Sequence, residues 1–274
     1  MSNKQDIKIG IVIGEHSGDI LGSKIIESLK KEFRVNLIGV GGPLTEKHGL
    51  KSIFDYKDLH VMGLIEPLLN IRKLLNHRKL IIETFKKEKI DFFIGVDSPD
   101  FNTPIHKALK KDLSVRTIQL VSPSVWGWRQ GRLKDIKKYI DLTLCLFKFE
   151  HDFYIDHKIS SFLLGHPLSE ARTLDNDQVY KKYNFNASKN YLAILPGSRA
   201  SEISNMMKTY ISFMEIALVN NPNFHFLIPA ADNLIKEKIE SYIKNKDLPI
   251  TIATGSAREF LSISKYSIVT SGTA

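Results

Sequence analysis

The feature that most constrains this chain is a rhythm of ten short, continuously apolar runs separated by segments long enough for helices. The runs are Ile7–Ile13, Val35–Val40, Asp91–Val96, Val115–Val121, Asp141–Phe147 and Ser160–Leu164, then Tyr191–Leu195, Phe224–Ile228, Ile250–Ala253 and Tyr266–Val269. They are rich in Ile, Val, Leu and Phe and lack the polar alternation of a half-exposed strand, which is how a strand covered on both faces reads. Helix-length segments such as Ile20–Phe33 and Asn205–Val219 fill the intervals. This alternation predicts α/β architecture, a parallel sheet with helices on both faces. Ligands of such sheets sit outside the carboxyl ends of the strands, so the turns after the runs are where chemistry is to be sought.

Six runs precede and four follow the segment Gly165–Asn176 (GHPLSEARTLDN), which has no apolar periodicity. The chain of 274 residues is therefore expected to form two Rossmann-type, doubly wound domains facing across a cleft. The first would cover residues 1–166 and the second 177–274, with 167–176 as linker. The second stops at Ala274, after a strand and its turn with no helix behind, so it is expected to be incomplete and the chain a fragment. The polar stretch Met1–Asp6 leads straight into the first strand without the h-region of a secretory signal. No apolar run approaches the roughly 18 residues of a spanning helix. The single cysteine, Cys145, excludes an internal disulfide framework and fits a reducing compartment. Together these predict a cytoplasmic protein, at most peripheral on a membrane. The formal net charge of +9 suits an anionic partner, a nucleotide or an acidic lipid surface, although a lysine-rich composition gives the same balance without function.

Five turns carry candidate chemistry. Gly14-Glu15-His16-Ser17-Gly18-Asp19 follows the first run; its glycines allow close backbone approach, and the next helix would offer its amino terminus to an anion. The spacing is not that of a dinucleotide fingerprint, and Ser17 or Asp19 could simply cap the helix. In Gly95-Val96-Asp97-Ser98-Pro99-Asp100-Phe101-Asn102, Asp97 stands at a strand end, where a carboxylate can accept a proton from an attacking hydroxyl. An N-cap or turn aspartate is the plainer reading, and it fits Asp100, at the start of the next helix, better than Asp97. Val121-Ser122-Pro123-Ser124-Val125-Trp126-Gly127-Trp128-Arg129 holds both tryptophans of the chain; their faces suit sugar rings or acyl chains and Arg129 suits phosphate, unless they pack the loop onto the core. No RNA-binding signature surrounds them, so no nucleic-acid partner is expected. Leu195-Pro196-Gly197-Ser198-Arg199-Ala200-Ser201-Glu202 suits a diphosphate, and the hydroxyls and amides of Thr270-Ser271-Gly272-Thr273-Ala274 suit phosphate or ribose oxygens. Each of these last two alone is little more than a polar turn.

Leu64–Ile82 places Leu64, Ile65, Leu68, Leu69, Ile71, Leu74 and Leu75 among Arg72, Lys73, His77, Arg78 and Lys79. An acidic membrane surface, an acyl substrate or an ordinary core-facing helix would each account for the pattern. His16, Asp97 and Asp100 are on separate loops and no HxxxH or HExxH spacing occurs, so no metal site is expected.

Taken in order, GEHSGDILG (Gly14–Gly22), VMG (Val61–Gly63), GVDSPDFN (Gly95–Asn102), VSPSVWGWR (Val121–Arg129), GHP (Gly165–Pro167), LPGSRASEI (Leu195–Ile203) and TSGTA (Thr270–Ala274) resemble the lipid-A-disaccharide synthase family from end to end. The resemblance implies a metal- and cofactor-independent inverting glycosyltransferase of GT-B fold. Such an enzyme joins UDP-2,3-diacylglucosamine to 2,3-diacylglucosamine 1-phosphate and releases UDP and the β-1,6-linked disaccharide 1-phosphate. It implies Asp97 as general base, Glu15 as a second acidic group of the active-site loop and Arg199 as a contact of the UDP diphosphate. The substrate-binding set expected with them is Ser17, Gly18, Asp19, Asp100, Asn102, Ser124, Trp126, Arg129, Gly197, Ser198, Glu202, Ser271, Gly272 and Thr273. The resemblance also implies a continuation past the last turn, homodimer formation through it, and peripheral association with the cytoplasmic face of the inner membrane. A UDP-sugar transferase or 2-epimerase of the same fold, or a non-catalytic remnant, is the alternative.

Overall fold

A computed structural model describes residues 4–59, 71–112, 115–170 and 173–270. The chain divides into two compact units, Met1–Glu170 and Ala171–Ala274.

The first unit contains β1 (Asp6–Ile13), β2 (Arg34–Val40), β3 (Phe92–Val96), β4 (Arg116–Leu120), β5 (Leu142–Cys145) and β6 (Ser161–Leu163). They form one parallel sheet in the order β2-β1-β3-β4-β5-β6, and a parallel bridge from Gly39 to Ser52 continues it beyond β2. Strand order reverses between β1 and β3. Residue parity decides which side each strand feeds. Ile7, Ile9, Ile11 and Ile13 of β1, with Ile94 and Val96 of β3, pack on Ile26 of helix His16–Glu32. Val12 and Phe93 face the other way, onto Ile81 and Phe85 of helix Ile71–Glu88 and Phe101, Ile105 and Leu109 of helix Pro99–Asp112. Both faces are covered, which is why the strands carry no polar alternation.

The second unit contains β7 (Asn190–Leu195), β8 (Phe224–Ala230), β9 (Ile250–Thr254) and β10 (Tyr266–Val269), parallel in the order β10-β7-β8-β9. Leu192, Ile194, Phe226 and Ile228 pack on helices Ala200–Asn220 and Asn233–Ile243. Tyr191 and Leu227 pack oppositely, on Val179 of helix Asn176–Tyr183 and Phe260 of helix Ala257–Ile263. Here the order reverses between β7 and β10.

All ten expected strands are present, but helix starts differ. The helix expected from Ile20 begins at His16, and that expected from Asn205 begins at Ala200. Their first turns are polar because they line strand-end loops, so apolar periodicity starts late. Asp100 does not open its helix; Pro99 occupies that place, as its fixed φ permits. The expected motif at 61–63, the first part of the 64–82 segment and residues 271–274 lie outside the described residues. Among the described residues no helix is long and apolar enough to cross a membrane.

Candidate active site

The reversal between β1 and β3 sets two strand-end turns side by side, the position open α/β sheets use for ligands. A Cβ added to Gly14 would come within 3.2 Å of Ser98 Oγ, so the Gly14–Asp19 and Asp97–Asn102 turns are in contact. Glu15 and Asp97, both half-buried, stand on these adjoining turns. The glycines explain how the helix lies so close to the sheet. Cβ atoms at Gly18 and Gly22 would meet Val96 Cγ1 at 3.1 Å and Ile13 Cδ1 at 2.7 Å.

Neither Ser17 nor Asp19 caps this helix. Glu15 is the N-cap, its side chain making no capping bond, and Ser17 is half-buried in the first turn. Asp19 is fully buried and accepts from the amides of Gly42 (3.1 Å), Leu44 (2.8 Å) and Thr45 (3.0 Å), and also from the Thr45 hydroxyl. Those are the amino-terminal amides of helix Pro43–Glu46, so the carboxylate is occupied by the protein itself. It holds the turn rather than a substrate.

The Asp97 turn is strained and braced. Asp97 and Ser98 have φ of +49° and +41°, and in the following loop Val121 has φ of +70°, a costly conformation for a β-branched residue. One side chain ties the two loops together. Gln119, buried in β4, donates through Nε2 to the carbonyls of Asp97 (3.0 Å), Leu120 (3.1 Å) and Val121 (3.3 Å). Asn102 is fully buried and donates to the carbonyls of Val96 (3.3 Å) and Asp97 (2.9 Å), so it too braces the turn instead of reaching a ligand. Because three carbonyls can only accept, the Gln119 amide orientation is fixed and its Oε1 faces His106 Nε2 at 3.1 Å. His106 therefore carries its proton on Nε2. Burial pushes its pKa down to about 4 and keeps the ring neutral. Gly95 makes room for this layer, since a Cβ there would sit 3.0 Å from His106 Nε2 and 3.1 Å from Asn102. Sequence reasoning passed over Gln119 and His106; a buried polar residue inside an apolar strand was the available signal.

The loop after β4 displays its aromatic residues. Val125 is its buried anchor, whereas Trp126 and Trp128 are 45% and 59% exposed, so they do not pack the loop onto the core. The Ser124 carbonyl accepts from the amides of Gly127 and Trp128 and closes the turn. Trp126 meets Phe149 edge-on at 5.0 Å; Phe147 stacks on Phe149 and on His166, each at 5.8 Å, forming an exposed aromatic ledge. Arg129, at φ +54°, lies over the Trp128 ring at 4.2 Å and pairs with Asp100. Arg132 pairs with the same carboxylate, and Arg78 donates to the Asp100 carbonyl at 3.2 Å. Arg78 and Arg132 were not anticipated, because no spacing links residues 78, 100 and 132. Cys145 is buried and its thiol pushed up to about 12, which makes it a structural side chain.

In the second unit the turn between β7 and helix Ala200–Asn220 stands at the strand-order reversal. Gly197 has φ of +118°, and a Cβ there would lie 2.6 Å from that of Glu202. The Glu202 carboxylate accepts from the amides of Ser198 (2.8 Å) and Arg199 (3.2 Å) and pairs with the Arg199 guanidinium at 3.1 Å. Glu202 thus sits on the helix-start amides that would otherwise face an anion, and holds Arg199 there. Across the reversal, Thr270 N donates to the Leu195 carbonyl at 3.0 Å and Thr270 Oγ1 lies 2.6 Å from the Tyr210 hydroxyl. Among the described residues no three His, Cys, Asp or Glu side chains gather as a metal site.

Comparison with known proteins assigns a family. A family model described as lipid-A-disaccharide synthetase matches residues 9–274. The lipid-A-disaccharide synthase of Acinetobacter baylyi is 41% identical over 243 residues, 87% of this chain and 61% of that protein. That of Idiomarina loihiensis is 38% identical over 280 residues, all of this chain and 73% of that one. The chain thus spans about three-fifths to three-quarters of these relatives' length. Among solved structures, the UDP-GlcNAc 2-epimerase from Neisseria meningitidis bound to UDP-GlcNAc aligns with TM-score 0.64 at 10% identity, over 98% of this chain and 78% of that one. A glycosyltransferase from Rickettsia africae aligns with TM-score 0.51 at 16% identity, over 97% of this chain and 73% of that one. At such identities these two share the fold alone, that of the GT-B class. The match along nearly the whole chain, with both reversal points in place, makes this protein a member of the lipid-A-disaccharide synthetase family.

Proposed function

We propose that this chain catalyses the family's reaction, transfer of 2,3-diacylglucosamine from UDP to the primary hydroxyl of 2,3-diacylglucosamine 1-phosphate. The observation that carries the reading is the contact between the Glu15 and Asp97 turns at the β1/β3 reversal, with Asp97 held in a left-handed conformation by Gln119 and Asn102. In the proposed step Asp97 accepts the proton of the acceptor hydroxyl as that oxygen attacks the donor anomeric carbon. The bond from that carbon to the diphosphate breaks, UDP leaves with the electron pair, and the configuration inverts. Glu15, on the adjoining turn, supplies a second carboxylate on the same side of the sheet. In the second unit the Arg199 guanidinium, held at the helix start by Glu202 and by the turn of Gly197 and Ser198, receives the departing diphosphate; Ser271, Gly272 and Thr273 belong to that nucleotide site by sequence. Ser17, Ser124 and Trp126 line the sugar side, with Gly18 letting the helix that carries Ser17 lie close to the sheet, and the ledge of Trp126, Phe149 and Phe147 gives acyl chains an apolar support. Peripheral membrane association and a homodimer belong to the same proposal. The test is UDP release in mixed micelles. Release that requires both the acylated donor and the phosphorylated acceptor supports the reading, whereas release or isomerisation of a UDP-sugar without acceptor would replace it with an epimerase-type activity.

A further inference from the structure

Three guanidiniums meet at Asp100, and their arrangement is more than a surface ion pair requires. Arg132 and Arg129 both pair with the Asp100 carboxylate, which is 76% exposed, and Arg78 donates to the carbonyl of the same residue. Three positive charges against one leave an excess of about two at the start of helix Pro99–Asp112, three residues beyond Asp97. Arg78 is half-buried, its guanidinium 5.1 Å from the Phe101 ring centroid, and its Nε is buried with no hydrogen-bond partner among the described residues. A desolvated guanidinium with an unmade bond is costly unless an acceptor arrives. Asp100, standing largely in water, is held by contacts of the kind worth least to stability, so it is easily displaced.

We infer that Arg78, Arg129 and Arg132 form the seat of a phosphate monoester on the acceptor sugar, with Asp100 as the internal counter-ion that yields to it. This rests on the acceptor reading above, which supplies a sugar 1-phosphate to the unit that carries Asp97. A phosphate monoester dianion brings two charges and three acceptor oxygens. It matches the excess charge and the fork geometry of the arginines better than a singly charged carboxylate or phosphodiester does. Anchoring the phosphate at this turn would place the far side of the sugar, and its primary hydroxyl, at the disposal of Asp97.

The chain carries its own reporter, because both tryptophans, Trp126 and Trp128, lie in this loop and Arg129 stacks on one of them. Trp fluorescence titrated with glucosamine 1-phosphate should saturate, while glucosamine should bind at least about tenfold more weakly, the scale of lost charge-assisted bonds. Inorganic phosphate should compete. Arg132→Ala should weaken the response about tenfold or more, and Arg78→Lys, which keeps charge and bulk, should weaken it less. Asp100→Asn should strengthen it, because the resident competitor is gone; a purely structural role for the ion pairs would make both Asp100→Asn and Arg132→Ala weaken it. Equal affinity for glucosamine and its phosphate, or an unchanged response in Arg132→Ala that melts like the parent, overturns the seat. So does competition by phosphatidylglycerol vesicles as effective as that by glucosamine 1-phosphate, which would make the cluster a headgroup site. Because the readout is binding, a phosphate-dependent response in a protein that releases no UDP would leave the seat standing and remove the transferase reading.

Discussion

At the scale of single residues, Asp97 is distinguished by what holds it. Its backbone is strained, and its carbonyl takes hydrogen bonds from two buried amides, Asn102 and Gln119, so the conformation is enforced from beneath. If the carboxylate is the base, Asp97→Asn should lower turnover by roughly two to four powers of ten with melting temperature and UDP affinity unchanged. If it only supports the loop, the same change should lower the melting temperature and leave turnover per folded molecule nearly intact. Measuring both on one preparation separates the two, and Glu15→Gln belongs in the same comparison because its turn touches that of Asp97. The place of Asp97 at a strand end was legible in the sequence because it directly follows an apolar run. Asp19 and Asn102 stood in equally suggestive places, yet their side chains are spent on amides and carbonyls of the protein itself. A one-dimensional pattern puts a residue on a turn but cannot say which way its side chain faces.

At the scale of elements, the ten strands were readable because central parallel strands are apolar on both faces, and the order of strands was not, because pairing depends on which helices cross which face. The polar layer below the Asp97 turn was illegible for a related reason. Gln119 and His106 are thirteen residues apart on β4 and the preceding helix, and only packing brings them to 3.1 Å. That layer carries a pH signature. His106 has a pKa near 4 in the folded protein against 6.5 ordinarily, so the unfolded chain takes up the proton first as pH falls. The stability is therefore complete above pH 6.5 and lost progressively toward pH 4; the depression corresponds to roughly 3 kcal/mol at most. Urea midpoints measured across that window should fall for the parent and fall less steeply for His106→Gln; identical slopes would mean that the folded protein takes up a proton at this ring as readily as the unfolded chain does. The turn after β7 allows a second element-scale test. Gly197 has a left-handed φ and no room for a Cβ beside Glu202, so Gly197→Ala must move the carboxylate that caps Ser198 and Arg199. Melting should drop by roughly 4–10 °C for a strain of a few kcal/mol, and UDP affinity should fall with it if this turn holds the diphosphate.

At the scale of the whole molecule, the excess of 39 basic over 30 acidic residues is compatible with an acidic lipid surface but does not locate it. The structure narrows the question on the described part of the amphipathic segment. Helix Ile71–Glu88 buries Ile81 and Phe85 against the first core, as an ordinary packed helix would. Lys73 and His77 pair with Asp58, and Arg78 turns inward to the Asp100 carbonyl, so much of the basic face is directed at the protein itself. Yet Ile71 and Leu75 remain 48% and 50% exposed beside Arg72, an apolar remainder that core packing does not use. If that remainder enters a bilayer interface, the chain should sediment with phosphatidylglycerol vesicles and poorly with phosphatidylcholine ones. Binding should weaken as salt shortens the screening length from about 10 Å at 0.1 M to about 3 Å at 1 M. Ile71→Asp combined with Leu75→Asp should abolish it, because two carboxylates replace apolar groups at the contact and repel the lipid. Both positions face solvent, so the fold should survive, which melting would verify. Sedimentation that persists in the folded double variant, with the same salt dependence, would show that charge alone draws the protein to the membrane and that this helix is a core element whose exposed Ile71 and Leu75 are idle.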